Sequence, residues 1–286
     1  MPASSPNGRA ARTGLKLGAA MPHNDFPAAL VQTLGAHALL LFAALWWLAQ
    51  RYALPRETST LSPGVYLLIR LAAGFAVLVG GAALFAGIAE ELGDGERAGQ
   101  LDQLFSDAVR EHTAGWAVQA FAWITQLGNT ATLSVVCVVV AAALLLRGQR
   151  WLALAWVLAV CGNALLNTTL KAVFARTRPL HEGGLVQAEG WSFPSGHSSG
   201  SVVLYGMLAY VLLRSLPQAL AWRASLPLVL LAAATAFSVG CSRIFLQVHF
   251  ATDVLAGFAS GTAWLAVCVA SIELASHYRQ SGSAAR

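Results

Sequence analysis

The chain has 286 residues, 57% of them apolar and only 11% Asp, Glu, Lys or Arg, where a soluble protein carries roughly 25% charged residues. That deficit points to lipid as the solvent and argues against two soluble domains, although length alone allows about two. A net charge of +5 from 18 basic and 13 acidic residues, with no dense basic run, excludes a nucleic-acid binder, a coiled coil and a disordered tail protein.

A membrane span needs roughly 20 mostly apolar residues. Seven windows without internal Asp, Glu, Lys or Arg meet or approach that length: 26–50, 71–89, 129–146, 151–170, 198–213, 224–242 and 254–272. Each far exceeds a strand, and an open sheet in lipid would leave backbone groups unpaired. The predicted fold is therefore all-α, a polytopic transmembrane helix bundle. Residues 1–25 read as an N-terminal tail, 26–100 as N-terminal spans with an outer loop, and 275–286 as a C-terminal tail. Gly115, Gly128 and Asn129 interrupt the stretch before the third window, so 101–127 is assigned to interfacial or amphipathic helix with Trp116 and Trp123 as headgroup anchors. An extra short span is the alternative. Most of the nine tryptophans, including Trp46, Trp47, Trp151, Trp191 and Trp222, fall near span ends. Cys137, Cys161, Cys241 and Cys268 lie in or beside apolar runs without CxxC spacing and read as small buried hydrophobes.

Orientation follows from Lys and Arg in short loops. Arg147 with Arg150, Arg214 with Arg223, and Arg279 with Arg286 fall on one side by alternation of spans, and Arg51, Arg56 and Arg70 agree. That side is expected to be cytoplasmic. Residues 90–111 face the other way and carry Glu90, Glu91, Asp94, Glu96, Asp102, Asp107 and Glu111 against Arg97 and Arg110 alone. An odd number of spans puts the N-terminus outside despite Arg9, Arg12 and Lys16. A first window that does not span, an overridden charge rule, or translation from Met21 would each reconcile this.

Ionisable residues at membrane depth are costly and mark functional sites. They cluster three times: Lys171, Arg178 and Pro179 after the fourth window; Pro194, Ser195, Gly196 and His197 before the fifth; and Ser242, Arg243, His249 and Asp253 between the sixth and seventh. Following the chain in and out of the bilayer brings all three to one face. Three fixed cations suit a tetrahedral oxyanion, so Lys171, Arg178 and Arg243 imply a phosphate. Ser195 and Gly196 open an apolar helix whose free N–H groups and positive end add donors. If residues 249–253 are helical, i,i+4 spacing sets Asp253 beside His249 to fix its tautomer and stabilise the imidazolium, the arrangement of an activated nucleophile with its orienter. His197 is then the general acid for the leaving group.

Asn163, Asn167, Thr168 and Thr169 could line the site or hydrogen-bond between helices, and Gly200, Gly206, Gly257 and Gly261 suggest close helix packing. Glu182 and Glu189 read as a solvated loop face. His23, His37, His112, His181 and His277 have no catalytic context.

The spacings K-x6-R-P, P-S-G-H and S-R-x5-H-x3-D resemble those of the type 2 phosphatidic acid phosphatase superfamily, in its membrane lipid phosphatase branch, over roughly residues 101–272. The resemblance implies a six-span core, with the catalytic part and its interfacial segment placed at 101–274, and makes 26–50 an N-terminal addition. It implies a metal-free, cofactor-free phosphohistidine mechanism. Carried over residue by residue, Lys171, Arg178, Ser195, Gly196 and Arg243 bind phosphate, His249 attacks phosphorus, Asp253 orients it and His197 is the acid. The expectation is an integral membrane phosphatase acting on a lipid monophosphate or diphosphate at the outer face of a bacterial cytoplasmic membrane. Candidate substrates are phosphatidic acid, phosphatidylglycerol phosphate, undecaprenyl diphosphate and a lipid A phosphate. The rivals are a lipid phosphotransferase on the same fold and an anion transporter; a vanadium haloperoxidase shares the residue pattern but not the apolar windows.

Overall fold

The computed structural model describes residues 63–94, 96–179, 186 and 188–284. The 26–50 window, the basic N-terminal residues, His23, His37, His181 and Glu182 lie outside them. In chain order the described residues form α1 (Pro63–Asp94), α2 (Glu96–His112), α3 (Gly115–Ile124), a 3-10 turn (Thr125–Gly128), α4 (Thr130–Leu146), α5 (Arg150–Phe174), α6 (Gly196–Ser215), α7 (Gln218–Phe245) and α8 (Ala251–Ala284). Among the described residues six helical stretches are long and apolar enough to cross a membrane: one each in α1, α5, α6, α7 and α8, and the run Gly115–Leu146.

The helices overrun the apolar windows because their ends are polar. α5 continues through Lys171, and α8 carries helix to Ala284 through residues expected to be a tail. Of 101–127, expected to be one interfacial or amphipathic segment, the part to His112 is amphipathic helix, while the part from Gly115 belongs to the apolar run that ends at Leu146. The chain breaks at Thr113 and Ala114 into amphipathic α2 and the separate apolar α3. A 3-10 turn then leads to Asn129, whose Oδ1 accepts the Thr132 N–H at 3.0 Å and caps α4. α3 packs near the far end of α7, with Phe121 stacked on Phe245 at 4.3 Å, and leaves Trp116 and Trp123 exposed.

α6 is the least apolar of the six and the most buried, whereas α1 is among the most apolar and has no buried residue in its span. The inversion follows from the solvent: a helix wrapped by protein needs small residues for close approach more than it needs grease. Ser198, Ser199, Gly200 and Ser201 are all buried at the start of α6. α8 meets them with glycines. A Cβ at Gly257 would stand 2.6 Å from the Ser195 carbonyl oxygen, and one at Gly261 would stand 2.9 Å from that of Ser199. Gly200 and Gly206 similarly admit Leu133 and Leu265.

Buried Trp156 donates its indole N–H to the Cys137 carbonyl at 2.9 Å, and Trp264 donates to that of Ala159 at 2.8 Å, so these two rings tie α5 to α4 and α8 to α5 rather than joining an interfacial belt. Asn163 and Asn167 reach Ser199 on α6 at 3.5 and 3.3 Å. Thr168 and Thr169 instead bond carbonyls of their own helix, each at 2.9 Å, because they face outward. All four cysteines are free thiols; of them Cys137 is buried as expected, Cys241 and Cys268 are half-buried, and Cys161 is exposed.

Candidate active site

α5 ends at Ala175 in the left-handed conformation, φ 44°, with its N–H closing on the Lys171 carbonyl at 3.0 Å. The chain then leaves without regular secondary structure, and Arg176 and Arg178 take different partners, Arg176 closing on Asp102 and Asp253. Arg178 crosses to the loop between α7 and α8. Its Nη1 donates to the Val248 carbonyl at 2.7 Å and to His249 Nε2 at 3.1 Å, while Nε and Nη2 hold the carbonyls of Gly190, Glu189 and Trp191.

A guanidinium only donates, so Nε2 of His249 carries a lone pair and the ring proton sits on Nδ1. Nδ1 faces Asp253 Oδ2 at 3.3 Å. The same carboxylate oxygen accepts from Ser192 Oγ and, at 2.9 Å, from the Phe250 N–H. Asp253 Oδ1 takes Arg176 Nη1 at 2.6 Å. Asp253 is fully buried and His249 is 2% exposed. Burial pushes the imidazole pKa down to about 4 against the pull of Asp253, and Arg178 and Arg243 add to the fall. At neutral pH the ring is neutral, with a free electron pair on Nε2.

Lys171 reaches the carbonyls of Trp191 and Ser192, and Arg243, 3% exposed, donates Nη1 to Thr125 Oγ1 at 2.6 Å. Arg243 Nε is buried without a hydrogen-bond partner, an orphaned donor that an oxyanion would satisfy. At the start of α6 the Ser195 hydroxyl accepts from Ser198 N–H and O–H, and the Ser195 N–H is spent on the Asp253 carbonyl at 2.9 Å. The N–H groups of Gly196 and His197, the first two positions of the helix, have no partner within it.

A cavity of about 1010 Å³ is lined by Lys171, Arg178, Gly196, His197, Arg243 and His249. Six of the eight expected residues thus share one wall. Asp253 and Ser195, both fully buried, stand behind it: Asp253 backs His249, and Ser195 ties α6 to α8 instead of presenting its hydroxyl. The cavity continues between α4 and α5 past Leu133, Cys137, Val138, Ala141 and Leu145 on one side and Val157, Val160, Cys161 and Ala164 on the other. From Thr130 to Leu145 that is roughly 22 Å along the helix at 1.5 Å per residue.

Arg176, Ser192, Thr125 and Asp102 were not singled out from sequence. Each acts through a residue far along the chain, and the one local hint is the charge at Arg176, inside the K-x6-R spacing.

A family model for the PAP2 superfamily matches residues 150–276, which contain all eight expected site residues. Phosphatidylglycerophosphatase B of Bacillus subtilis (strain 168) is 34% identical over 160 residues, 56% of this chain and 77% of that protein. The crystal structure of the first transmembrane PAP2 type phosphatidylglycerolphosphate phosphatase from Bacillus subtilis is similar with TM-score 0.60 and 29% identity, over 68% of this chain and 93% of that one. With its polar clusters inside the matched residues and its helices superposing on a solved transmembrane relative, the chain is an integral membrane protein that belongs to the PAP2 superfamily.

Proposed function

We propose that this protein is a metal-independent lipid phosphatase that works through phosphohistidine on His249. The observation that carries the reading is the cavity itself: a cationic mouth with a neutral, oriented imidazole, continuous with an apolar groove long enough for a lipid chain. A phosphate on a lipid satisfies both ends without leaving the bilayer. An anion transporter would hold its cations near midplane on broken helices, whereas these stand at helix ends.

Lys171, Arg178, Arg243 and the N–H groups of Gly196 and His197 hold the phosphate, and Ser195 fixes the helix start that presents them. Phosphate draws Arg178 Nη1 away from His249 Nε2. The freed pair attacks phosphorus while Asp253 stabilises the imidazolium. The P–O bond to the lipid breaks, and His197 gives its proton to the leaving oxygen. His197 then takes a proton from water, whose oxygen attacks phosphorus, and the P–N bond breaks to release phosphate and restore neutral His249.

The positive-inside rule puts Arg147, Arg150, Arg214 and Arg223 in the cytoplasm and the site on the outer face, periplasmic in a bacterial inner membrane. The name of the Bacillus relative makes phosphatidylglycerol phosphate the first substrate to try, ahead of phosphatidic acid, undecaprenyl diphosphate and lipid A. The test is phosphate release from these four by detergent-purified protein in EDTA, with His249→Ala as control. Release in EDTA that the control lacks is expected. Release from none of them, or only with an added metal, would overturn the reading.

A further inference from the structure

We propose that Asp102, on the amphipathic helix α2, is a positioning residue for the Asp253–His249 pair and acts through Arg176. The inference rests on the reading of His249 as nucleophile. α2 meets the body of the protein with polar side chains. Asp102 and Ser106, one turn apart, are buried at 4% and 2% exposure, while Leu101 and Leu104 are exposed. Both inward residues anchor beside His249. Ser106 donates to Gln247 Oε1 at 2.8 Å. Asp102 Oδ2 takes Arg176 Nη2 at 2.7 Å and the Thr252 hydroxyl, and Oδ1 accepts the Thr252 N–H at 3.3 Å.

Arg176 therefore lies between two carboxylates, with Nη2 on Asp102 and Nη1 shared by Asp253 Oδ1 and Thr252 Oγ1 at 2.6 and 2.8 Å. Its guanidinium stacks on Phe250 at 4.4 Å. The bond at Oδ1 sets the rotation of the Asp253 carboxylate, which determines whether Oδ2 faces His249 Nδ1. Asp102 in turn fixes the guanidinium plane and takes up part of its charge, so Asp253 keeps negative charge for the imidazolium formed when His249 is phosphorylated. Without Asp102, Arg176 would pair with Asp253 alone and draw that charge away. The helix that lies over the site thereby becomes part of its machinery.

The test is a rapid-mixing experiment with phosphatidylglycerol [³²P]phosphate in detergent micelles, quenched in alkali to preserve phosphohistidine, which gives the amount of phosphoenzyme per mole and its rate of formation. For Asp102→Asn the expected result is an unchanged amount formed roughly tenfold more slowly, as for the loss of a buried charged hydrogen bond. In the double variant with Arg176→Gln the rate should equal that of Arg176→Gln alone, because Asp102 acts through Arg176. Thr252→Val, which keeps every charge, should slow formation roughly two- to threefold and stands in should Asp102→Asn not fold.

A wild-type rate in Asp102→Asn, a reduced amount formed at the wild-type rate, or single effects that multiply in the double variant would overturn the inference and leave α2 a structural attachment. For Thr252→Val, a wild-type rate would do the same. Wild-type protein that releases phosphate without forming phosphoenzyme would overturn the phosphohistidine reading, and this inference with it.

Discussion

The two ends of the bundle use the same side chains to opposite effect. At the end away from the site, Arg70 and Arg214 both close on Glu273, at 3.1 and 3.3 Å, and Tyr210 donates to the same carboxylate at 2.8 Å. There the cations are neutralised, and the network joins α1, α6 and α8. At the site end Lys171, Arg178 and Arg243 form no ion pair with a carboxylate among the described residues; they rest on carbonyls, one hydroxyl and the His249 imidazole. A cation held by neutral acceptors keeps its charge for a ligand, whereas one closed on a carboxylate serves as a tie. Arg176 shows the rule inside the site itself: only two residues from Arg178, it is paired with Asp102 and Asp253 and is absent from the cavity wall.

Substitutions at the two ends should therefore separate activity from stability. The largest effect is expected from His249→Ala, which removes the proposed nucleophile and should lower phosphate release by at least roughly 10⁴-fold with folding intact, as with other nucleophile deletions. Asp253→Asn should retain the fold and cost roughly 10²- to 10⁴-fold in kcat, since a carboxamide favours the wrong imidazole tautomer; wild-type turnover would remove the orienter assignment. Arg243→Met should lower kcat/KM by roughly 10²- to 10³-fold by deleting a charged donor from the phosphate site, and it should not lower the thermal midpoint in detergent, because a buried cation without a carboxylate is a cost to the fold.

A weaker signature lies in pH. Unfolded His249 titrates near its ordinary value of 6.5, and in the folded protein burial holds it down to about 4. Between those values the unfolded state binds the extra proton, so this group removes stability as pH falls from about 6.5 to about 4 and adds no further change below. Thermal midpoints measured across that range should fall less steeply in His249→Gln than in wild type. The smallest effect belongs to the opposite end. Glu273→Gln should cost about 1 kcal/mol or less, because its arginine partners are partly exposed, and should leave kcat at the wild-type value. A large loss of turnover there would erase the distinction between the ends.

The legible part of the site was the part carried by local spacing. Asp253 lies four residues after His249, and Lys171, Arg178, Gly196, His197 and Arg243 stand at the ends of apolar runs, where alternation through the bilayer brings them to one side. Ser195 shows the limit of that reading. Its place before a helix was readable, but the commitment of its N–H to the Asp253 carbonyl depends on α8 approaching through Gly257. Residues 101–127 show another limit, since apolar content does not reveal where Thr113 and Thr125 turn the chain.

What the sequence determined by itself was the solvent, the helical class, the gathering of the polar clusters at one end of the bundle and the pairing of His249 with Asp253. All follow from rules that act over one helix turn or one bilayer crossing. Only the tertiary structure decided which cations are free to bind an anion and which are spent on carboxylates. Asp102 and Arg176 are 74 residues apart and Thr125 and Arg243 are 118 apart. Such pairings depend on how helices pack, and no periodicity along the chain encodes them.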